Sequence, residues 1–491
     1  MDLPLTDHPF LTDTAVPVTV IEGDGIGPEV IRAALRIAEA AGARLSIETM
    51  QAGARAFAGG VASGVPRETI DSIARTGLVL KGPLETPIGH GGKSANVTLR
   101  KLFETYANIR PVAELPGIAG PFAGRGIDFV VVRENVEDLY AGIEHMQTPN
   151  VAQCLKLVSR QGCGRIARLA FELARAQGRR SVHCATKANI MKLTEGMMQR
   201  AFQEVAPDFA EIRAEHILVD NCAHRMVVSP ERFEVIVTTN MNGDILSDLA
   251  AGLVGGLGIA PSANVGAEVA MFEPVHGSAP DIAGQDRANP IAMIQATAML
   301  LDHVGQGAAA AMREALRATL AEARWRTPDI AVAGQEPVGS AAFADAVIAH
   351  LRPVPVRAGA GVAALAFSHR TLPEARLAVR HMAGMDVFVE SALPAQVLGQ
   401  RLAAVAAETG FTLKMISNRG TQVFPHAGGH PDCVDHWRCR FVRRESVGEA
   451  ADAEVFALVR RISEIARWMH LEKLTELDGA AGWTRAQGEA A

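Results

Sequence analysis

Short apolar runs alternate along this chain with amphipathic stretches. Val16 to Glu22 (VPVTVIE), Leu78 to Lys81, Ile127 to Val132 (IDFVVV), Ser181 to Thr186, the HILVD run ending at Asp220 and Phe233 to Thr239 are apolar and β-branched, with turn formers around them. Each predicts a buried strand. Helices are expected between them. One runs from the glycine-rich turn after the first strand to about Ala41, and another carries Ile166, Leu169, Ala170, Leu173 and Ala174 on one stripe with Gly178 as its stop. Others span about Ile291 to His303, Ala308 to Arg324 and Ser340 to Leu351. This alternation predicts an α/β class. A β-rich excursion interrupts it at Glu144 to Gln161, and residues 352–376, rich in Pro, Gly and Ala, read as a linker. Beyond the linker, MDVFVES, PAQVLGQRLAAVAAETG, FTLKMISN, DHWRCRFVRR and ADAEVFALVRRISEIARWM read as β, α, β, β, α, with a further strand at Thr421 to Phe424. That order predicts a separate, small α+β domain.

The ends of the apolar runs carry the chemistry. After Phe233 to Thr239 comes NMNGDILSDLAAGLVGGLG, in which a helix starting near Asp244 puts Asp244 and Asp248 at i and i+4 on one face. Two carboxylates there suit Mg²⁺ or Mn²⁺, which prefer hard oxygen ligands. Asp244 alone also reads as a helix cap; Asp248, a turn further in, does not. Asp220 offers a third carboxylate, or is a turn residue. Arg100 on a helix that Ser94 or Asn96 can cap, Arg110 on the next extended segment and Arg133 at the end of IDFVVV arrive from three segments. Guanidinium matches carboxylate bidentately, so together they imply a polycarboxylate substrate. Lys187 ends another strand, where neighbouring charges can fit a lysine for proton transfer. The loop Met271 to Pro290 carries Glu273, His276, Asp281 and Asn289 among small residues that let a backbone approach a ligand, and His276 can lie against a heteroaromatic or ribose. Glycines 23, 25 and 27 followed by Pro28 do not match the G-x-G-x-x-G dinucleotide fingerprint.

Composition narrows the partners. A net charge of −6 gives no bulk reason to bind nucleic acid or an anionic membrane. No run of about 18 apolar residues occurs, the N-terminus lacks a signal-peptide core, and six cysteines form no CxxC pair, so a cytoplasmic protein is expected. His426, His430, Cys433, His436 and Cys439 match no zinc spacing and read as ordinary loop and strand residues. Arg438, Arg440, Arg443 and Arg444 read as a solvated or interface face.

Taken in order, GDGIGPEV, KGPLETP, SANVTLRKLFETYANIRPV, VVVRENVEDLYAG, TKANIMKLTEG and NMNGDILSD resemble the isocitrate and isopropylmalate dehydrogenases, from about Val16 to Leu351. KMISNRGTQV and RWMHLEKL resemble the tail of the longer, Thermus-like isocitrate enzymes. The resemblance implies a two-domain α/β/α sandwich without a Rossmann motif, plus the small C-terminal domain. Residues 1–110 and 255–351 would form a large cofactor-side domain, 111–254 a smaller dimerisation domain with a β clasp near 141–161, and 377–491 the tail domain. It further implies that Ser94, Asn96, Arg100, Arg110 and Arg133 hold the substrate, and that Tyr140 and Lys187 handle protons. Asp220, Asp244 and Asp248 would hold Mg²⁺ or Mn²⁺. Leu84, Thr86, Asn189, Glu273, His276, Gly277, Ala279, Asp281, Ile282 and Asn289 would meet the cofactor. In the family the counterparts of Lys187 and Asp220 come from a neighbouring subunit, so a homodimer with shared sites is expected, with a tetramer open.

NADP-using relatives commonly carry Lys-Tyr where this chain has Asp281-Ile282, and an Asp accepts hydrogen bonds from a ribose diol while repelling a phosphate. NAD is therefore the expected cofactor, in an isocitrate dehydrogenase yielding 2-oxoglutarate and CO₂. Homoisocitrate, 3-isopropylmalate and NADP-dependent isocitrate dehydrogenases are the alternatives. Ser94 and Asn96 favour isocitrate, since an isopropyl group wants an apolar wall.

Overall fold

The computed structural model describes residues 15–86, 94–353, 373, 376–425, 431–444 and 452–489. Nearly all of the expected linker, together with His426 and His430, lies outside the described residues. The chain divides into two compact units, residues 1–141 with 157–372, and residues 142–156 with 373–491.

In the first unit the strands are β1 (Val16–Ile21), β2 (Leu45–Met50), β3 (Leu78–Lys81), β4 (Ala107–Ala113) and β5 (Asp128–Glu134). The chain then passes through the hairpin β6 (Glu144–Thr148) and β7 (Val151–Cys154), which groups with the second unit. It continues with β8 (Ser181–Thr186), β9 (Arg213–Leu218), β10 (Val235–Thr238), β11 (Pro261–Val265) and β12 (Ala270–Pro274). Ten strands make one sheet in the order β2-β1-β3-β12-β11-β4-β5-β10-β8-β9. Its two wings are parallel, β2-β1-β3-β12 and β5-β10-β8-β9, while β11 and β4 join them through antiparallel pairings. Because the second wing is parallel, the carboxyl ends of β5, β8, β9 and β10 share one edge, and loops leaving that edge are where α/β sheets carry sites.

The apolar runs form this sheet because both its faces are covered. β3, β8 and β10 are buried throughout, as expected of strands in the middle of a covered parallel sheet. Helix Arg160–Ala176 buries the stripe expected of it and ends at Gln177, with Gly178 left-handed just beyond. Phe171 stacks on Phe202 and Phe209, each at 5.1 Å, in the same core. The glycines of the first turn serve packing. At Gly25 (φ 55°) a side chain would collide with Ser278, whose carbonyl accepts the Ile26 N–H at 2.8 Å.

The second unit has a six-stranded sheet and the hairpin. Its strands are β13 (Arg380–Glu390), β14 (Phe411–Asn418), β15 (Thr421–Phe424), β16 (His436–Arg443), β17 (Arg467–Leu477) and β18 (Ala480–Ala481), in the order β15-β14-β16-β13-β17-β18. Helices Ala395–Ala407 and Asp452–Ser463 bury Leu398, Leu402, Leu458 and Ile462 in its core. The hairpin belongs with it through Asp435, which accepts from Thr148 Oγ1 at 2.9 Å and Asn150 Nδ2 at 3.0 Å.

Two expectations change here. The last helix ends at Ser463, and Arg467–Leu477, of which the first residues had been read as helix, is a strand paired along the whole of β13. Tertiary pairing overrides a pattern that favoured helix. The arginine run is not a solvated face throughout: Arg440 is 1% exposed and bonds Asp386 at 2.8 Å and Glu489 at 2.8 Å. Burial pushes the Asp386 carboxyl up to about 6, against the pull of Arg440. All six cysteines are free thiols.

Candidate active site

β10 delivers the helix Asn240–Val254, which starts four residues earlier than expected. Asp244 therefore lies a full turn inside, too deep to be a cap. Gly243 lets this helix press onto β5: a Cβ there would sit 2.6 Å from the Cβ of Arg133. Arg133 is 1% exposed; its Nε and Nη2 donate to Asn240 Oδ1 at 3.0 and 2.8 Å, and its Nη1 pairs with Asp244. From β4, Arg110 lies 3.5 Å from Asp244 and 3.3 Å from Asp248, while its Nε donates to Asn108 Oδ1 at 2.7 Å. Tyr140 donates its hydroxyl to Asp244 Oδ2 at 2.6 Å, and the Arg133 guanidinium lies 4.9 Å from its ring centre.

Electrostatics follow from this crowding. Burial alone would raise the Asp244 carboxyl, but Arg133, the Tyr140 hydroxyl and Arg110 hold it below the usual range. The Asp248 carboxyl moves the other way, pushed up by burial and by Asp244 against the pull of Arg110. Burial beside Arg133 brings the Arg110 guanidinium down to about 10. The Tyr140 phenol rises, through burial first and its bond to Asp244 besides.

Arg100 joins the cluster from the opposite side. It is buried and bonds Glu273 Oε1 at 3.1 Å. Glu273 also pairs with Lys81, only 2% exposed, and accepts from Asn264 Nδ2 at 2.6 Å. Despite full burial, Lys81 and Arg100 keep the Glu273 carboxyl well below its ordinary value. Sequence reasoning missed Lys81, Asn108 and Asn264. Lys81 was detectable by the rule that exposed Arg133, a charge closing an apolar strand.

Ser94 sits at the N-cap of helix Ala95–Leu102, yet its hydroxyl bonds Thr86 at 2.9 Å rather than capping. Asn96 donates to the Leu84 carbonyl at 3.3 Å, and its Oδ1 is buried without a protein partner. A cleft of about 410 Å³ is lined by His276, Gly277, Ala279, Ile282, Asn289 and others, including Arg287 and Asp329. His276 Nε2 has no hydrogen-bond partner, and burial lowers the ring's pKa. Asp281 is exposed.

Lys187 and Asp220 pair with each other at 2.9 Å. Lys187 leaves the end of β8, and Asp220 lies in the first turn of helix Val219–Val228, not in a turn. Among the described residues no three His, Cys, Asp or Glu side chains gather as a metal cage. What the chain brings together is a pair of carboxylates, Asp244 and Asp248, beside Arg110. Asp244 and Asp248 offer hard oxygens that Arg110 brings within 3.5 and 3.3 Å of one guanidinium, so the donors fit Mg²⁺ or Mn²⁺.

Guanidinium and carboxylate groups gathered at the carboxyl edge of the α/β sheet suit an acid substrate held beside a cation. Residues 17–347 match the isocitrate/isopropylmalate dehydrogenase family, to which the chain belongs, and residues 380–489 match the bacterial isocitrate dehydrogenase C-terminal domain. The chain is 56% identical over 487 residues to isocitrate dehydrogenase [NADP] of Thermus thermophilus, covering 98% of this chain and 97% of the relative. With the Rickettsia bellii isocitrate dehydrogenase [NADP] it shares 39% identity, covering 96% and 99%. The solved structure of the TT0538 protein from Thermus thermophilus superposes with a TM-score of 0.93 at 55% identity, covering 98% and 97%.

These relatives overturn the expectation of NAD, since the proteins that match nearly the whole of this chain are named for NADP. The argument from Asp281-Ile282 weighed one carboxylate as if it were desolvated. Asp281 is exposed, where water and salt screen its repulsion, and Arg287 from the same loop lines the cleft. Among the described residues no helix is long and apolar enough to cross a membrane.

Proposed function

We propose that the protein is an NADP-dependent isocitrate dehydrogenase that converts isocitrate to 2-oxoglutarate and CO₂. The observation that carries this is the convergence of Arg110 and Arg133 on Asp244 and Asp248, with Arg100 buried against Glu273: buried guanidinium groups for carboxylates, beside hard oxygens for a cation. The names of the near-full-length relatives support both the substrate and the cofactor.

In this reading the three arginines fork onto the substrate carboxylates and, with Ser94 and Asn96, fix which carbon faces the cleft that holds the cofactor. Glu273, His276 and Asn289 line the nicotinamide side, with Leu84, Thr86, Asn189, Gly277, Ala279 and Ile282 as further contacts, and Arg287 meets the 2′-phosphate. Asp244 and Asp248, with Asp220 of the partner subunit, hold Mg²⁺ or Mn²⁺. A bound ion there would supply Lewis acidity to the substrate's oxygens. Lys187 of the partner subunit takes the hydroxyl proton, and Tyr140, a protonated phenol at neutral pH, delivers a proton to the carbon left by CO₂. A cytoplasmic homodimer is part of the reading. Val227 and Val228 on one helix and Met241 and Ile245 on the next expose apolar side chains that a second subunit can cover.

Assaying isocitrate, homoisocitrate, 3-isopropylmalate and tartrate with NADP and with NAD, in the presence of Mn²⁺, tests it. The highest kcat/KM is expected for isocitrate with NADP. A higher value with NAD, or with another acid, refutes the corresponding half of the proposal, and no turnover of any of them refutes both.

A further inference from the structure

We infer that Asp138 is a positioning residue that aligns Tyr140 with Asp244, acting through the first turn of helix Asn240–Val254 without touching substrate. This rests on the reading of Tyr140 as the proton donor. Asp138 is buried, with Oδ2 accepting the Met241 N–H at 3.0 Å and Oδ1 accepting the Leu139 N–H at 2.7 Å. Met241 lies in the first turn of the helix, where backbone N–H groups lack helical partners. The N-cap residue does not serve that turn: Thr239 makes no capping bond and donates its hydroxyl to Glu195 at 3.0 Å. A carboxylate from another segment does so, at the positive end of the helix.

The backbone of Asp138 is as unusual as its side chain. Its φ is 69°, a left-handed conformation that costs a non-glycine residue free energy and persists only where its surroundings enforce it. Its N–H donates to the Leu157 carbonyl at 2.8 Å, and its own carbonyl accepts the Ala141 N–H at 3.1 Å. That turn sends residue 140 back over the helix. Three rungs then join loop to helix in step: Asn240 Nδ2 to the Glu137 carbonyl at 3.2 Å, the Met241 N–H to Asp138, and Tyr140 to Asp244. Lys101 grips the loop from its other side, donating to the Tyr140 carbonyl at 2.8 Å. Arg100 and Arg110 are held through Glu273, Asn108 and Ser247, residues outside these rungs.

Asp138→Gly and Asp138→Asn separate the two contributions. Glycine adopts the left-handed backbone freely but removes both acceptors, whereas asparagine tolerates that backbone and keeps one acceptor oxygen. Two rates are measured: steady-state isocitrate oxidation, and exchange of the C3 protons of 2-oxoglutarate with deuterated solvent, followed by NMR with Mg²⁺ and reduced cofactor present. D138G is expected to lower kcat and the exchange rate about tenfold at an isocitrate KM within about twofold of wild type, with D138N intermediate. Wild-type exchange in D138G overturns the inference, as does a KM rise matching the kcat loss with no recovery in D138N. Should D138G fail to fold, D138N decides alone: wild-type kcat overturns the inference, and a loss of about threefold or more at unchanged KM supports it. Y140F in parallel isolates the premise, because exchange at the wild-type rate in that variant refutes the role of Tyr140 itself.

Discussion

Two carboxylate–cation arrangements stand at the same edge of the sheet and differ in kind. Around Asp244 the partners are buried and multiply bonded: Arg133 is fixed by Asn240, and Arg110 by Asn108. Lys187 and Asp220 meet in a single contact, with side chains 29% and 63% exposed. The fold builds the first cluster, and removing a member leaves a buried charge alone. Water surrounds the second pair, which contributes little to stability and can be re-paired at little cost. The first cluster is closed by its own bonds, and the second is open to a further partner.

Substitution on each side sharpens this contrast. Arg133→Ala is expected to lower kcat/KM at least about 1,000-fold and to lower Tm as well, because Asp244 loses its main partner. Lys187→Ala is expected to cost activity on the same order while Tm, read by calorimetry, stays within about 1 °C of wild type. Equal destabilisation by the two changes would remove the distinction.

Glu273→Gln probes the buried side by charge alone. It leaves Lys81 buried without a counter-ion, and a loss of about 3–5 kcal/mol in urea unfolding is expected. Because the Glu273 carboxyl is held below its unfolded value, its stabilisation is complete above about pH 4.3 and fades as pH falls below that. The Tm gap between wild type and E273Q should therefore be constant near neutrality and narrow below about pH 4. A gap that widens in acid would contradict the assignment.

The smallest effect is spectroscopic. The chain has two tyrosines, and burial pushes Tyr106 up to about 12. With EDTA present, the first tyrosinate absorbance should appear above pH 10, the ordinary value for the phenol, and vanish in Y140F. A wild-type transition at or below pH 10 would mean that Tyr140 is not held as described.

What the sequence made legible followed from strand ends. Arg133, Lys187 and Asp220 each close an apolar run in the sequence, which marked them as candidates, and the family resemblance supplied their roles. The i, i+4 spacing of Asp244 and Asp248 survived even though the helix begins at Asn240, since a shift of the start does not change which residues share a face. Polar residues inside strands were not legible, because Asn108 and Asn264 acquire meaning only when β4 and β11 lie side by side. Nor was β17, whose partner β13 lies some eighty residues earlier in the chain. The inference of NAD failed for a related reason: two adjacent residues were weighed without knowing how exposed Asp281 is or that Arg287 lines the same cleft.

Whether the two arrangements belong to one site is tested most directly by mixing inactive subunits. Tyr140→Phe and Lys187→Ala proteins, each nearly inactive, are to be unfolded together and refolded as a mixture. If each site takes Tyr140 from one subunit and Lys187 from the other, half of the dimers are mixed and each holds one intact site, so activity returns to about a quarter of wild type. A mixture no more active than its components would show that the site does not cross a subunit boundary, and the account of a shared centre would fall.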